Sequence, residues 1–363
     1  MIGQATAATG AGILGIGFYL PQAVRPNSYF WNDLKLDTND KWIRQRTGIR
    51  TRRVAAPDEY TSHLGTHAAR KALEMAGVTL TARSRIVVAT ATPDQVFPAT
   101  ANRIQAKLNP QIHTPAFDIN NACNGFILGL SLASTLVNAD ACDYVLLIGA
   151  ELFSRFIDYK DRGTCILFGD GAAAVVVGRV EDPGPSGFVT YSDGTEADTI
   201  IYPGGGSVHP ASEAALREGC FAIKMDGQAV FKKAVRSMAD AAEEALKLAG
   251  LSKEAARWVI PHQANSRIIG AVGSKLDLAD RTLDYIADFG NLSAASIPMA
   301  IAHAYADGWI QKGDNLLLTA IGAGLNWGAG VVRWHLPNPT PRPDGSFKEF
   351  RERQLAVVEG NAS

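Results

Sequence analysis

AARKALEMAG, beginning at Ala68, and AAEEALKLAG, beginning at Ala241, are one phrase written twice in the same chain. In each copy the alanines and leucines are spaced for one face of an amphipathic helix. Each copy stops at a glycine, Gly77 and Gly250, of the kind that caps a helix C-terminus. A short polar link and an apolar strand follow each time, RIVVAT at 85–90 and WVIPH at 258–262. Further on the two stretches run in parallel again at a slightly shorter spacing. DYVLLIG at 143–149 resembles DNLLLT at 314–319, and each follows a helix of small residues, about 123–137 and 294–305. Chance likeness between alanine-rich helices does not explain why helix, link and strand recur together. Helices alternating with apolar strands predict parallel sheets buried on both faces, in two α/β halves placed side by side.

The rest of the chain arranges itself around that repeat. DPGP at 182–185 marks a seam, giving an N-terminal half of 1–184, a C-terminal half of 185–336 and a peripheral tail of 337–363. In the tail, a proline-rich stretch precedes a charged segment, 347–359, that reads as a short helix. The Arg-rich stretch 35–53 reads as loop and short helix. YPGGGSVHP at 202–210 is a surface loop, since its glycines lack the strand–helix context of a phosphate cradle.

The 363 residues are 47% hydrophobic and 20% charged, ample for a large core. Lys+Arg 35 against Asp+Glu 36 leaves a formal charge of −1, so no global field drives the protein onto nucleic acid or a membrane. A charged partner has to meet a local patch. Cys123, Cys142, Cys165 and Cys220 form neither a CxxC pair nor a metal-type cluster, which fits a reducing cytoplasm better than a disulfide framework. The start lacks the cationic lead of a secretory signal, and no apolar run approaches the length of a membrane span. A soluble, cytoplasmic protein is expected.

Four segments carry candidate chemistry. In FDINNACNGF, from Phe117, a strand runs into Cys123 and then an apolar helix. A cysteine at a helix N-terminus meets unpaired amides and a dipole that favour thiolate, and Gly125 lets a substrate or another strand approach closely. In VIPHQANSRII, from Val259, His262 ends a buried strand just before a helix that begins beyond Asn265, where α/β proteins place their sites. In FGNLSAASIP, from Phe289, Asn291 stands between a glycine and a helix of small residues. In AIGAGLNWGAG, from Ala320, a glycine-spaced turn offers amides to a carbonyl oxygen. Taken singly, each has a plainer reading: a buried cysteine in a tight turn, a core histidine on a backbone carbonyl, an asparagine cap, a turn without ligand. Cys, His and Asn in this order, each at a strand end of a duplicated chain, are more specific together.

From about 11 to 336 the chain closely resembles β-ketoacyl-acyl-carrier-protein synthase III, a condensing enzyme of the thiolase superfamily. The resemblance rests on YLP at Tyr19, DKWIRQRTGIRTR at Asp40, FPA at Phe97, DRGT at Asp161, FGDGAA at Phe168, PHQANSRI at Pro261 and GNLSAASIP at Gly290. It implies an α/β fold, the thiolase-like duplicated αβαβα layered sandwich. It also implies Cys123 as nucleophile, with His262 and Asn291 as the pair that promotes decarboxylation. Trp42 and Arg46 match positions flanking the nucleotide end of coenzyme A, and Arg162, Phe231 and Asn265 match other walls of its channel. Phe97 matches a residue at the acyl pocket across a homodimer interface. Arg267, Lys232 and Lys275 match basic positions that meet the acidic acyl carrier protein, the local patch that a near-neutral protein needs.

The implied reaction moves an acyl group from acyl-CoA to Cys123, with the amides of Cys123 and Ala323 holding the oxyanion. Malonyl-acyl carrier protein then decarboxylates and condenses with the acyl-cysteine, without metal or organic cofactor. Some residues depart from the family pattern. Ala323 replaces the middle of three glycines, NNACNGF replaces AACAGF, Leu325 and Asn326 replace an aromatic and a threonine, and Gln228 replaces an asparagine. These leave room for an unusual acyl donor. A related acyltransferase of polyketide, quinolone or signal-molecule synthesis shares Cys123 and stays open. A catalytically dead partner subunit is expected to lack the nucleophile, and a cysteine hydrolase lacks its G-x-C-x-G elbow here.

Overall fold

The computed structural model describes residues 9–339; the expected tail helix at 347–359 lies outside them. The N-terminal half runs β1 (Thr9–Tyr19), β2 (Ala23–Pro26), α1 (Ser28–Asn32), α2 (Asp40–Thr47), β3 (Thr51–Val54), α3 (Thr61–Ala76) and β4 (Ser84–Ala89). It continues through α4 (Thr100–Leu108), β5 (Ala116–Ile119), α5 (Gly125–Asn138), β6 (Tyr144–Leu152), α6 (Arg162–Cys165) and β7 (Asp170–Glu181). One sheet in the order β1-β7-β6-β4-β5 forms its centre. Strands β4, β5 and β6 are parallel, as the alternation predicts, but β7 is antiparallel to both β6 and β1. The sheet is therefore mixed. Between β6 and β7 lie only turns and the four-residue α6, with no helix long enough to cross back over the sheet, and the chain turns back beside itself. All nine residues of β6 are buried, as a strand covered on both faces requires.

The C-terminal half runs β8 (Gly187–Ser192), β9 (Ile200–Ile201), α7 (Glu213–Arg217), β10 (Lys224–Met225), α8 (Gly227–Leu248) and β11 (Trp258–Pro261). It ends with α9 (Ser266–Lys275), α10 (Ile286–Phe289), α11 (Ser296–Ala306), β12 (Asn315–Gly322) and β13 (Asn326–Arg333). Its sheet, β11-β12-β13-β8, repeats the first, with Thr282 bridging Val259 where the first sheet has β5. The 182–185 stretch links β7 to β8, with Asp182 at φ 51° and Gly184 at φ 69°. The Arg-rich 35–53 stretch holds α2 and also β3, which pairs with β2.

The duplicated phrase is duplicated down to its hydrogen bonds. After α3, the Gly77 N–H donates to the Glu74 carbonyl and the Val78 N–H to that of Leu73. After α8, Gly250 donates to Lys247 and Leu251 to Leu246. Both glycines are left-handed, at φ 65° and 66°. This is the same glycine-terminated cap twice over.

Helices α5 and α11 lie between the two sheets. Phe126, Ile127 and Leu130 from one, with Ile297 and Ile301 from the other, join Val145, Leu147, Leu316 and Leu318 in a central core. Each such side chain contributes about 1.5–3 kcal/mol on burial. Leu64, Ala68 and Ala72 of α3 cover the outer face of the first sheet. Met238 and Ala242 of α8 cover that of the second. The result is the five-layered α/β/α/β/α sandwich of the thiolase-like fold.

Two matching turns cross between the halves. A 3-10 turn, Ala122–Asn124, leads into α5, and another, Ser293–Ala295, leads into α11. Each contains a non-glycine residue in left-handed backbone, Ala122 at φ 45° and Ser293 at φ 46°, a conformation costing about 1–2 kcal/mol. A glycine in the opposite sheet makes room for each turn. A Cβ on Gly149 of β6 would stand 2.5 Å from the Ala294 carbonyl oxygen. One on Gly322 of β12 would stand 2.6 Å from the Cys123 nitrogen.

Candidate active site

Cys123 sits at the middle of its turn, half-buried, immediately ahead of α5. Gly125 faces Ala89 of β4, where a Cβ would stand 3.0 Å away, so this glycine admits a strand rather than a substrate. The helix start alone does not make the sulfur a thiolate. Burial pushes Cys123 up to about 12, against a smaller downward pull from the Ser293 hydroxyl. The resting group is a thiol.

His262 follows β11 directly, and its backbone N–H donates to the Thr319 carbonyl at 2.8 Å. The ladder between β11 and β12 thereby fixes the residue. It is 2% exposed, its Nδ1 has no partner within the protein, and burial pushes it down to about 3. The imidazole is neutral at physiological pH, with one N–H to give and one nitrogen to accept.

Asn291 is pinned on three sides. Its N–H donates to the Leu167 carbonyl at 2.9 Å and its own carbonyl accepts from Gly169 at 3.1 Å. Its side-chain Oδ1 accepts the Ser293 N–H at 2.8 Å. With the oxygen occupied, the carboxamide presents its NH₂ outward as a donor.

These three side chains, two from the C-terminal half and one from the N-terminal half, line one cavity of about 1340 Å³. Ala323 lines it too, its turn braced by Asn326, whose Nδ2 donates to the Ala323 carbonyl at 2.6 Å. Asn326 thus has a structural task in the altered turn. Of the three asparagines around the nucleophile, Asn120 faces the cavity, while buried Asn124 donates to Asn121 at 2.8 Å beneath it.

The cavity wall away from Cys123 is aromatic and basic. Trp42 stands between two guanidinium groups, Arg46 at 5.4 Å and Arg162 at 5.0 Å from its ring centre. Arg162 is steadied by the carbonyl and carboxylate of Asp37. Opposite lie Phe231 and Lys232 of α8, beside Gln228, and Arg267 with its guanidinium 5.3 Å from the Phe231 ring. Asn265 caps α9, its Oδ1 accepting from Ile268 at 2.9 Å, and also faces the cavity.

Phe97 and Lys275, expected at a partner's acyl pocket and at a carrier-protein surface, do not line this cavity. Phe97 is 83% exposed and does not reach this chain's cavity. Lys275 lies at the far end of α9, 3.7 Å from Asp240. Among the described residues no cluster of histidine, cysteine and acid side chains is arranged to hold a metal.

The structure also adds members that the motifs did not mark. Glu151, fully buried at the end of β6, accepts from Thr92 Oγ1 at 2.6 Å and from the Ala91 N–H at 3.1 Å. The Ser293 side chain, near both, offsets part of the upward push that burial gives Glu151 and Cys123. One signal was available in the sequence: an acid inside the apolar run YVLLIGAEL is out of place unless something needs it.

Comparison with known proteins accords with this geometry. The family model for 3-oxoacyl-[acyl-carrier-protein] synthase III matches residues 117–194, and the model for its C-terminal part matches 246–334. A β-ketoacyl-[acyl-carrier-protein] synthase III of Caldanaerobacter subterraneus is 46% identical over 326 residues, covering 89% of this chain and 98% of that one. The chain belongs to the β-ketoacyl-acyl-carrier-protein synthase III family. The solved synthase III of Aquifex aeolicus superposes with a TM-score of 0.81 at 40% identity, covering 90% of this chain and all of that one. A priming β-ketosynthase from the R1128 polyketide pathway superposes at 0.83 with 32% identity, covering 94% of this chain. Cys123 and Glu151 fall in the first synthase III match, and His262, Asn291, Ser293 and Ala323 in the second.

Proposed function

We propose that the protein joins an acyl group to a malonyl unit, as the initiating condensing enzyme of fatty acid synthesis, with Cys123 carrying the acyl group. The observation behind this reading is the single cavity in which a thiol, a neutral imidazole and a carboxamide NH₂ converge beneath an aromatic and basic wall. The Cys123 proton passes to the neutral His262 as the sulfur attacks the thioester of acyl-CoA. The charges formed on sulfur and imidazole offset one another in the buried site. The backbone amides of Cys123 and Ala323 receive the oxyanion, and the departing CoA sulfur takes the proton back.

The second thioester then enters, carried as malonyl-acyl carrier protein. His262 and the Asn291 NH₂ donate to its carbonyl oxygen and hold the enolate formed as CO₂ leaves. One such donor is typically worth about 2.7–4 kcal/mol of barrier. The enolate carbon attacks the acyl-cysteine, the Cys123 sulfur leaves as thiolate and takes a proton from water, and a β-ketoacyl thioester is released. The chemistry calls for no metal or organic cofactor.

Trp42, Arg46 and Arg162 suit an adenine nucleotide, offering a ring face and two cations. Lys232 of α8 and Arg267 of α9 suit an acidic carrier protein, with Lys275 at the other end of α9. We place the enzyme in the cytoplasm as a homodimer, with Phe97 reaching the partner's acyl pocket. The likeness to the R1128 priming enzyme keeps a second reading open, in which the donor primes a secondary metabolite. One assay addresses both. Purified protein is offered a panel of acyl-CoA donors with malonyl-CoA or malonyl-acyl carrier protein, and products and the Cys123 peptide are weighed by mass spectrometry. A β-ketoacyl product with short donors supports the initiating role, and a product only with unusual donors supports the second. Failure of every donor to acylate Cys123 defeats both.

A further inference from the structure

Two of the departures from the family pattern, Ala323 and Asn326, are joined by a hydrogen bond. Residues 323–325 form the tight connection between β12 and β13, whose last pair in register is Gly322 with Asn326. Backbone pairing stops there, and Ala323, which lines the cavity, stands just beyond it. Asn326 closes the gap with its side chain. Its Nδ2 donates to the Ala323 carbonyl at 2.6 Å, so one residue holds both flanks of Ala323. The carboxamide crosses over Gly324, at φ 137°, where a Cβ would collide with it. The carboxamide is itself oriented. Ser192, at the end of β8, is the cross-strand partner of Asn326, and its Oγ donates to the Asn326 Oδ1 at 2.6 Å. The next residue, Asp193, gives its backbone N–H to the Leu325 carbonyl at 2.8 Å. Its carboxylate is held in turn by Lys233 of α8, also at 2.8 Å.

We propose that Asn326 is a positioning residue, itself aligned by Ser192, that fixes the backbone of Ala323 so that its N–H is held ready for the oxyanion. The inference deepens the proposed function, since it rests on the Ala323 amide being an oxyanion donor. Such a donor is effective when its direction is set in advance, because reorienting it during the reaction cancels much of its benefit. A residue just past the end of a ladder pivots on its own two dihedrals, and a clamp on its carbonyl removes that freedom. Asparagine suits the task because its carboxamide gives and accepts at once: the NH₂ holds Ala323 while the oxygen is held by Ser192. Compared with the threonine of the family pattern, it carries its donor one bond further from the backbone and keeps a separate acceptor. Ala323 and Asn326 are thus one device rather than two independent changes. The clamp bears on the oxyanion turn and not on the pair that receives the enolate. His262 and Asn291 are fixed through their own backbones, on the Thr319 and Leu167 carbonyls. Asn326 therefore serves acyl transfer to and from Cys123 more than decarboxylation.

The test compares the rates of two reactions of the Cys123 sulfur in the full-length enzyme, each followed by peptide mass. With p-nitrophenyl acetate the sulfur takes the acetyl group through a tetrahedral oxyanion, p-nitrophenolate leaves and the thiol proton goes to water. With iodoacetamide the sulfur displaces iodide and no oxyanion forms. Neither reagent needs recognition of coenzyme A. Asn326→Ala should slow acetylation about tenfold and leave alkylation within about twofold of wild type, a split that general loosening of the site would not give. Asn326→Asp keeps the shape and the acceptor but has no N–H for the Ala323 carbonyl, and it should be as slow. Ser192→Ala should slow acetylation about threefold in the wild-type chain and not at all in the Asn326→Ala chain. Acetylation at the wild-type rate in Asn326→Ala, or equal slowing of both reactions, overturns the proposal. Ser192→Ala removes an exposed hydroxyl and decides the matter where Asn326→Ala does not fold; acetylation at the wild-type rate in that variant overturns the proposal too. So does a wild-type Cys123 that p-nitrophenyl acetate fails to acetylate. An enzyme that condenses nothing with any acyl-CoA, yet shows the split, defeats the proposed function and leaves this inference standing.

Discussion

At the scale of single residues, the proposed reaction gives Cys123 and His262 separable duties, and their variants should fail differently. Cys123→Ala removes the attacking sulfur, so no acyl-enzyme should form; an acylated protein by mass from that variant would refute the nucleophile. His262→Ala should still be acylated, more slowly, while malonyl decarboxylation falls about 10²–10³-fold through loss of one oxyanion donor. Loss of both steps to the same degree counts against the division of roles. The buried environment explains the division. His262 is held neutral near 3 and Cys123 protonated near 12, so neither carries charge until a substrate arrives.

At the scale of elements, the nucleotide end of the cavity depends on how α2 meets α9. Gly48, the left-handed cap of α2 at φ 77°, leaves no room for a side chain: a Cβ there would collide with Ser266 Oγ at the start of α9. Beneath this junction Ile49, Ile269 and Ile286 form a small buried cluster. The contact sets Trp42 and Arg46 opposite Asn265 and Arg267. Gly48→Ala should therefore destabilise the fold by about 2–4 kcal/mol, from left-handed strain and overpacking together. It should raise KM for acyl-CoA several-fold with kcat little changed, read by thermal unfolding and steady-state kinetics. An unchanged KM would mean that α2 finds its place without this glycine.

At the scale of the whole molecule, burial sets how stability depends on pH. His262 titrates near 3 folded and near 6.5 unfolded, so the unfolded chain binds the extra proton. Stability from this group is complete above pH 6.5 and drains away as pH falls toward 3, by about 3–5 kcal/mol. Glu151 acts in the opposite sense: its folded value near 7 lies above the unfolded 4.5, so its contribution is complete below 4.5 and fades as pH rises through 7. Asp170, also raised by burial, works in the same direction as Glu151. Denaturant unfolding of His262→Gln against wild type cancels these acids, and the stability difference should shift in the variant's favour as pH falls from 6.5 toward 3. The proposed dimer belongs to the same scale and turns on exposure instead. Val96 and Phe97 are 81% and 83% exposed, and β5 is the open edge of its sheet. Phe97→Asp should weaken dimerisation by about 30-fold or more, the usual loss at a buried aromatic anchor. Sedimentation showing an unshifted dimer would place the interface elsewhere.

The duplicated helix, its glycine caps, the apolar strands and the Cys, His and Asn segments were legible because each is written in residues a few positions apart. Periodicity and capping act over one or two turns of chain, and a motif carries its own neighbours with it. The mixed sheet was not legible, since whether a strand returns antiparallel depends on the space between β6 and β7. Nor was the crossing of turns through Gly149 and Gly322, which brings the Ser293 turn near Cys123 although nearly half the chain separates them. The sequence by itself determined two α/β halves and the three side chains that the cavity gathers. Only tertiary packing decided that the sulfur rests as a thiol and that an acid stands behind it, because burial and proximity belong to the folded whole and not to any stretch of chain.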